Sequence, residues 1–185
     1  MKCAGIVGAG GAGFPSYAKI AGGADTLLVN GAECEPLLYT DYMILNRELS
    51  TVITGIKAVL QGTQIKTAVL AIKEHTAKKL SFEDGEVLDG VVRVKVLKNV
   101  YPIGDEVSLI YESVGRLVNP ASLPITVGVI VYNVETMYNL GRAEKFGEPV
   151  TMKWVTVGGA VDKPVVVRVP IGAPIEELFE LLGIE

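Results

Sequence analysis

Only two cysteines, Cys3 and Cys34, occur in 185 residues, and no Cys-x-x-Cys pair is present. The chain therefore lacks the four-thiolate set of an iron–sulfur cluster, and any electron chemistry it supports has to be organic. Histidine is scarcer still. His75 stands alone in the charged run Lys73-Glu74-His75-Thr76-Ala77-Lys78-Lys79, which reads as a solvated helix face, and no metal site is expected. Lysine and arginine are scattered under a net charge of −4, so the basic stripe needed to bind a phosphate backbone is missing and nucleic acid is not an expected partner. Long apolar runs are absent too. Thr67–Ile72 and Ile125–Val131 fall far short of the roughly 20 residues that span a bilayer, and Met1-Lys2 leads into glycines instead of a signal-peptide core. No direct membrane insertion is expected, and the location read from these absences is cytoplasmic.

What is present is a hydrophobic content of 49%, enough for one good core, and 21 glycines that cluster in the first third of the chain. Asp25–Asn30 is a short apolar run between turn residues and reads as a buried strand. Leu45, Leu49, Val52, Ile53, Ile56, Val59 and Leu60 share one helical face, which predicts an amphipathic helix over Leu45–Gln61 closed by Gly62. Lys66–Lys73 and Val91–Leu97 read as strands, with a short helix at Glu74–Leu80 between them. Asp105 opens a helix that runs through Val114. A strand is expected at Ile125–Tyr132 and a helix at Asn133–Ala143. Strands that alternate with helices predict an α/β fold with a mostly parallel sheet and helices on both faces. From about Val150 the pattern changes to two strands, Trp154–Gly159 and Pro164–Val169, then a helix at Pro174–Leu182. Residues 1–150 are therefore expected to form one α/β domain. Residues 151–185 start a second unit too short for a full sheet, as in a piece of a longer protein or a small relative.

Gly8-Ala-Gly10-Gly11-Ala-Gly13-Phe14-Pro15 contains the spacing G-x-G-x-x-G. Missing Cβ atoms let backbone N–H groups approach a phosphate, and Pro15 suits the first turn of a helix whose N-terminus attracts anions. A tight turn without ligand is the plain structural alternative. A Rossmann dinucleotide site would also need a strand before the loop, a full helix after it and an acid about twenty residues on. Glu33 has that spacing, but Gly5-Ile-Val leaves little strand, and Phe14–Ile20 gives only a stub of helix before Gly22-Gly23.

Four segments in order resemble the motifs of the NADH- and FMN-binding subunit family of respiratory complex I. They are Gly8–Pro15 with Lys19, Asn30-Gly-Ala-Glu33-Cys34-Glu35-Pro36, Tyr101-Pro-Ile-Gly104-Asp105-Glu106, and Asn133-Val-Glu135-Thr136. Their wording is closer to the Rnf-type C subunits and to the cobalamin reductases of propanediol-utilising bacteria. The resemblance covers nearly the whole chain. It implies an FMN-binding domain to about residue 150 and, over 151–185, the start of the β-grasp SLBB unit that follows in that family.

The same resemblance implies roles for individual residues. Gly8, Gly10, Gly11 and Gly13 would wrap the FMN phosphate and ribityl chain, with Lys19 as basic partner; the family's Arg is Ala9 here. Asn30, Glu33 and Cys34 match polar flavin contacts, while the family's Asp is Ala32. Tyr101, Gly104, Asp105 and Glu106 match the loop beside the isoalloxazine and nicotinamide, which makes Glu106 the catalytic candidate. Tyr132 and Asn133 replace an Asn pair near the phosphate, and Phe14 and Glu35 fall on the side of the NADH substrate. Ordinary readings exist beside these. Glu33 and Glu35 suit a solvated loop, Asp105 and Glu106 a helix N-terminus, Cys34 a small loop position and Asn133 a helix cap.

If FMN binds, hydride from NADH enters at the flavin and electrons leave singly toward an iron–sulfur or other electron-transfer partner, because this chain has no cluster ligands of its own. Membership of such a complex implies a place at the periphery of a membrane assembly. The readings that compete with this one are a Rossmann-type NAD(P) domain and a non-catalytic docking module with an empty loop.

Overall fold

Continuous runs of Val, Leu, Ile and Ala suit strands buried on both faces. In the structure, a computed structural model that describes residues 1–184, with the side chain of Ala21 excepted, they form the centre of a parallel sheet. Its strands are β1 (Thr26–Gly31), β2 (Thr67–Lys73), β4 (Val92–Leu97) and β5 (Val129–Asn133), with a two-residue antiparallel edge strand, β3 (Val87–Leu88). The order is β3-β4-β2-β1-β5. Alternate residues separate into two cores. Leu27, Val29, Leu70, Ile72, Ile130 and Tyr132 face one side, under α2 (Thr40–Gly62) and α5 (Val134–Phe146). Leu28, Val69, Ala71, Val129 and Val131 face the other, under Leu109 and Ile110 of α4 (Glu106–Val114). This is the expected fold class, with helices on both faces.

The short helix α3 (Glu74–Leu80) lies where the sequence placed it, and Asp105 caps α4 with its carboxylate accepting from the N–H groups of Val107 and Ser108. Two boundaries differ. The helix expected from Leu45 begins at Thr40, because Asp41 occupies the first turn and Ile44 is already buried; a non-helical residue at Glu48 then bends it. The strand expected from Ile125 begins at Val129. Pro124–Val127 is instead a 3-10 turn, ended by Gly128 at φ 73°, a left-handed conformation that breaks an extended strand. After the glycine loop there is only the four-residue α1 (Ser16–Lys19), and before it only a single bridge, Val7 to Pro15. That is not the strand-loop-helix of a Rossmann site.

The last segment forms an antiparallel pair, β6 (Met152–Val157) and β7 (Val165–Pro170), followed by α6 (Ile175–Leu182). This hairpin is packed onto the first sheet's helices. Trp154 joins the α2/α5 core and meets Tyr138 edge-on, with ring centroids 5.9 Å apart and an interplanar angle of 76°. Such a pair adds about 1 kcal/mol beyond its buried area.

The connectivity also locates a site. From β1 the chain crosses to β2 and β4 on one side, then returns to β5 on the other, so the crossovers part between β1 and β5. In open α/β sheets, ligands bind outside the carboxyl ends of the strands at such a switch point. Here those ends carry Asn30 and Asn133, which are register partners across the β1–β5 pair.

Candidate functional site

A cleft of about 580 Å³ opens at this switch point. Its walls are the glycine loop (Ala9, Gly10, Gly11), the segment after β1 (Asn30 and Ala32 to Glu35), Thr40 and Asp41 of α2, Gly104, Asn133 and Glu135, and Lys153 to Thr156 of β6. Its volume lies within the range typical of small-molecule pockets.

The glycine loop is a narrow hairpin closed by the Val7–Pro15 bridge and by Gly8 N–H donating to Phe14 O at 2.9 Å. Ala9 is held from two sides: its N–H donates to Thr136 Oγ1 (3.0 Å), and its carbonyl accepts from Lys153 Nζ (3.0 Å). Among the described residues, no protein acceptor meets the N–H groups of Gly10, Gly11 or Ala12. A Cβ at Gly10 would lie 3.0 Å from the Asn133 side chain, whereas one at Gly11 would meet nothing within 4 Å. Unpaired amides beside open space at a sheet's carboxyl edge are what an anionic group requires.

Opposite the loop, Asn30 Nδ2 donates to Gly104 O (3.0 Å) while its Oδ1 accepts from Ala32 N–H (3.0 Å). Cys34 Sγ accepts from Gly104 N–H at 3.0 Å. Gly104 has to be glycine, because a Cβ there would lie 2.4 Å from Ala32 O and 2.7 Å from Cys34 Sγ. These contacts fasten the Tyr101–Glu106 loop to the end of β1.

Asn133 caps α5 by accepting from Glu135 N–H (2.8 Å), and its Nδ2 donates to both carboxylate oxygens of Asp41 at 3.0 Å. Asp41 is only 5% exposed. Burial, then the charge of Glu33, push its carboxyl up to about 8; Glu135 adds to this, while the Asn133 hydrogen bond and Lys153 oppose it. Burial also raises Glu33, although the Asp41 N–H bonded to it pulls the other way. Asp41 is therefore mostly neutral at pH 7, which spares the cleft one negative charge.

A stability prediction follows from that shift. A carboxyl raised from 3.8 to about 8 binds more protons folded than unfolded between those values, so the stability it contributes is lost as pH rises through that window. Asp41→Asn should remove the loss. In thermal melts the variant's Tm minus that of wild type is expected to grow by several degrees from pH 4 to pH 8 and then level off. A difference that stays flat across that window would mean Asp41 is ionised in the folded protein.

The cleft brings together Gly10, Gly11, Asn30, Glu33, Cys34, Glu35, Gly104 and Asn133 of the residues singled out in the sequence. Phe14, Lys19 and Glu106 line a second cavity of about 460 Å³, walled by Leu123, Pro124 and Ile125. There Lys19 Nζ donates to Val131 O (2.9 Å) and faces Glu106 at 3.7 Å. Lys19 thus lies beside Glu106 and is not among the residues lining the glycine-loop cleft. The remaining residues line neither cavity. Tyr132 is buried, with its hydroxyl donating to Ser16 O and its phenol pushed up by burial. Asp105 spends its carboxylate on the α4 cap, Tyr101 is 79% exposed, and Gly13 turns the loop at φ 70°. Gly8 closes the loop's neck.

Sequence reasoning missed Asp41 and Lys153 and gave Glu135 no role. Asp41 reads as a loop residue when the helix is started at Leu45. Glu135 stands inside a recognised motif. Lys153 carries no signal, being one lysine in an alternating strand.

A glycine loop with free amides, set beside paired asparagines at the switch point of a parallel sheet, is the arrangement of an α/β domain whose loop backbone suits an anionic group. Comparison with known proteins names the family. The model of the Nuo51 FMN-binding domain, Complex1_51K, matches residues 1–142, and the chain belongs to this family. It is 40% identical over 183 residues to the cobalamin reductase PduS of Citrobacter freundii, an alignment covering 99% of this chain and 40% of that protein. It is also 32% identical over 188 residues to a subunit of the proton-translocating ferredoxin:NAD(+) oxidoreductase complex of Clostridium ljungdahlii, covering 99% and 41%. A solved NAD+-reducing [NiFe]-hydrogenase shares the fold, with a TM-score of 0.75 at 22% identity over 96% of this chain and 36% of that one. The chain thus spans about two-fifths of the length of these relatives. Among the described residues, no helix is long and apolar enough to cross a membrane.

Proposed function

We propose that this chain holds FMN in the switch-point cleft and serves as an electron-transfer module that takes electrons from NADH and passes them to an iron–sulfur or other redox partner. The observation that carries the reading is the Gly10–Ala12 segment, whose amides lack acceptors where a Cβ at Gly11 would meet only open space. FMN bound there would supply the conversion between two-electron and one-electron chemistry. The protein's own part is positioning. Gly10, Gly11 and Ala12 offer N–H donors to the phosphate, while Asn30, Asn133 and the neutral Asp41 hold the strand ends that floor the cleft. The second cavity suits the dihydronicotinamide substrate. Phe14, Leu123 and Ile125 give it apolar walls, and Glu106 and Lys19 form a polar edge. The β6–β7 hairpin with α6 is read as the opening of an SLBB β-grasp unit, and a peripheral place in a larger redox complex is part of the same reading, the Clostridium ljungdahlii relative being named as a subunit of such a complex.

Calorimetric titration with FMN, FAD and NADH tests the cofactor. FMN is expected to bind most tightly; tighter FAD, or NADH binding with no flavin, overturns the reading. Stopped-flow bleaching of the FMN-loaded protein tests the substrate. Glu106→Gln is expected to slow bleaching by NADH about tenfold or more while leaving FMN affinity within roughly threefold. A flavin held firmly but never bleached by NADH or NADPH would make the chain a flavin holder with another electron donor. Failure to bind any flavin would favour a docking module.

A further inference from the structure

We propose that Lys153, contributed by the second sheet, is a positioning residue that sets the shape of the glycine loop and gives the cleft its positive charge. The charge role rests on the flavin reading above. Lys153 Nζ donates to Ala9 O at 3.0 Å and forms an ion pair with Glu135. Glu135 is 2% exposed and also accepts from the N–H of the next β6 residue, Trp154, at 3.0 Å, so one carboxylate grips two successive residues of the strand. On the other side of Ala9, its N–H is held by Thr136, the neighbour of Glu135 on α5. The loop is thus clamped between the first domain and the hairpin.

A trans peptide is planar, with its C=O and N–H pointing in opposite directions. Lys153 fixes the Ala9 carbonyl, so it also fixes the direction of the Gly10 N–H, the first of the amides without an acceptor. Charge points to the same residue. The cleft is lined by the carboxyl groups of Glu33, Glu35, Asp41 and Glu135, and Lys153 is the one cationic side chain among its described lining residues. Without Lys153, Glu135 becomes an uncompensated buried charge beside any incoming phosphate. The hairpin therefore acts as part of the binding site, and a change in its seating changes the loop.

The test compares Lys153→Met, Lys153→Arg and the double variant Lys153→Met/Glu135→Gln, which removes the stranded charge and keeps an acceptor for Trp154 N–H if the single variant fails to fold. Amide hydrogen exchange is read first, without ligand. Losing the lysine should speed exchange at Gly8 and Ala9 by about tenfold while Leu70 in the sheet core is unchanged, and Arg should restore most of the protection. Unchanged exchange at Ala9 overturns the positioning role. Titration with FMN and riboflavin is read second. Losing the lysine should weaken FMN about tenfold and riboflavin less than about threefold. Equal losses for the two ligands overturn the charge role. If wild type binds neither flavin, the flavin reading and the charge role fall together, and the exchange measurement still decides whether Lys153 holds the loop.

Discussion

Alanine at Gly141 is expected to destabilise the protein by about 3 kcal/mol or more, lowering Tm by roughly 10 °C or abolishing a cooperative transition. The sign is opposite to the usual one, since glycine to alanine within a helix is ordinarily favourable by about 1 kcal/mol. The reason is the crossing of α2 and α5. A Cβ at Gly141 would lie 1.9 Å from Thr51 O, and one at Gly55 would lie 2.0 Å from Met137 O. These are backbone atoms that no rotamer change can move, so the helices would have to separate. α2 carries Asp41, and α5 carries Glu135 and Thr136 beyond its Asn133 cap, so separation would also distort the cleft and weaken flavin binding. Gly62, at the end of α2 with nothing within 4 Å of an added Cβ, is the control: alanine there should be neutral or stabilising. Thermal melts followed by circular dichroism decide. A Gly141→Ala protein as stable as wild type would refute the close crossing.

Valine at Gly11 should do the reverse, leaving Tm within about 2 °C of wild type while weakening FMN by about 100-fold or more. Gly11 is not at positive φ, and its Cβ direction is open, so the fold suffers no steric penalty. The branched side chain would instead occupy the space beside the unpaired amides. Gly10 behaves differently: a Cβ there presses on the Asn133 side chain at 3.0 Å, so Gly10→Val should lower both stability and affinity. Paired melts and FMN titrations separate the two positions. A folded Gly11→Val protein with unchanged FMN affinity would show that the loop is only a turn.

The sequence by itself determined the fold class and the family, because both are written in local patterns. Strands buried on two faces need unbroken apolar runs, as in β1 and β2, while β4 alternates valine with Arg93 and Lys95; all three lie within a residue or two of their expected limits. Asp105 and Glu74–Leu80 were legible because caps and short helices depend on neighbouring residues alone. The glycine loop was singled out by its local spacing and the Asn30–Glu35 segment by the family resemblance, and both line the cleft. β3 was not legible, being two residues held only by their pairing with β4. The start of α2 was hidden because its first turn is polar, and Asp41 is buried there by what packs around it.

Only the tertiary structure decided which side chains share a cleft and in what state of charge. Asp41 and Asn133 meet because two crossovers part at the β1–β5 boundary, which no local pattern specifies. The raised pKa of Asp41 comes from water excluded by neighbours distant in sequence, so its neutrality is a property of packing. Gly55 and Gly141 read as weak helix positions until two helices are seen to touch through them. Lys153 illustrates the same limit. A lysine in a strand is ordinarily solvated, and this one reaches the glycine loop because Trp154 beside it is anchored in the core under α2 and α5, a contact set by three-dimensional packing and absent from any window of sequence.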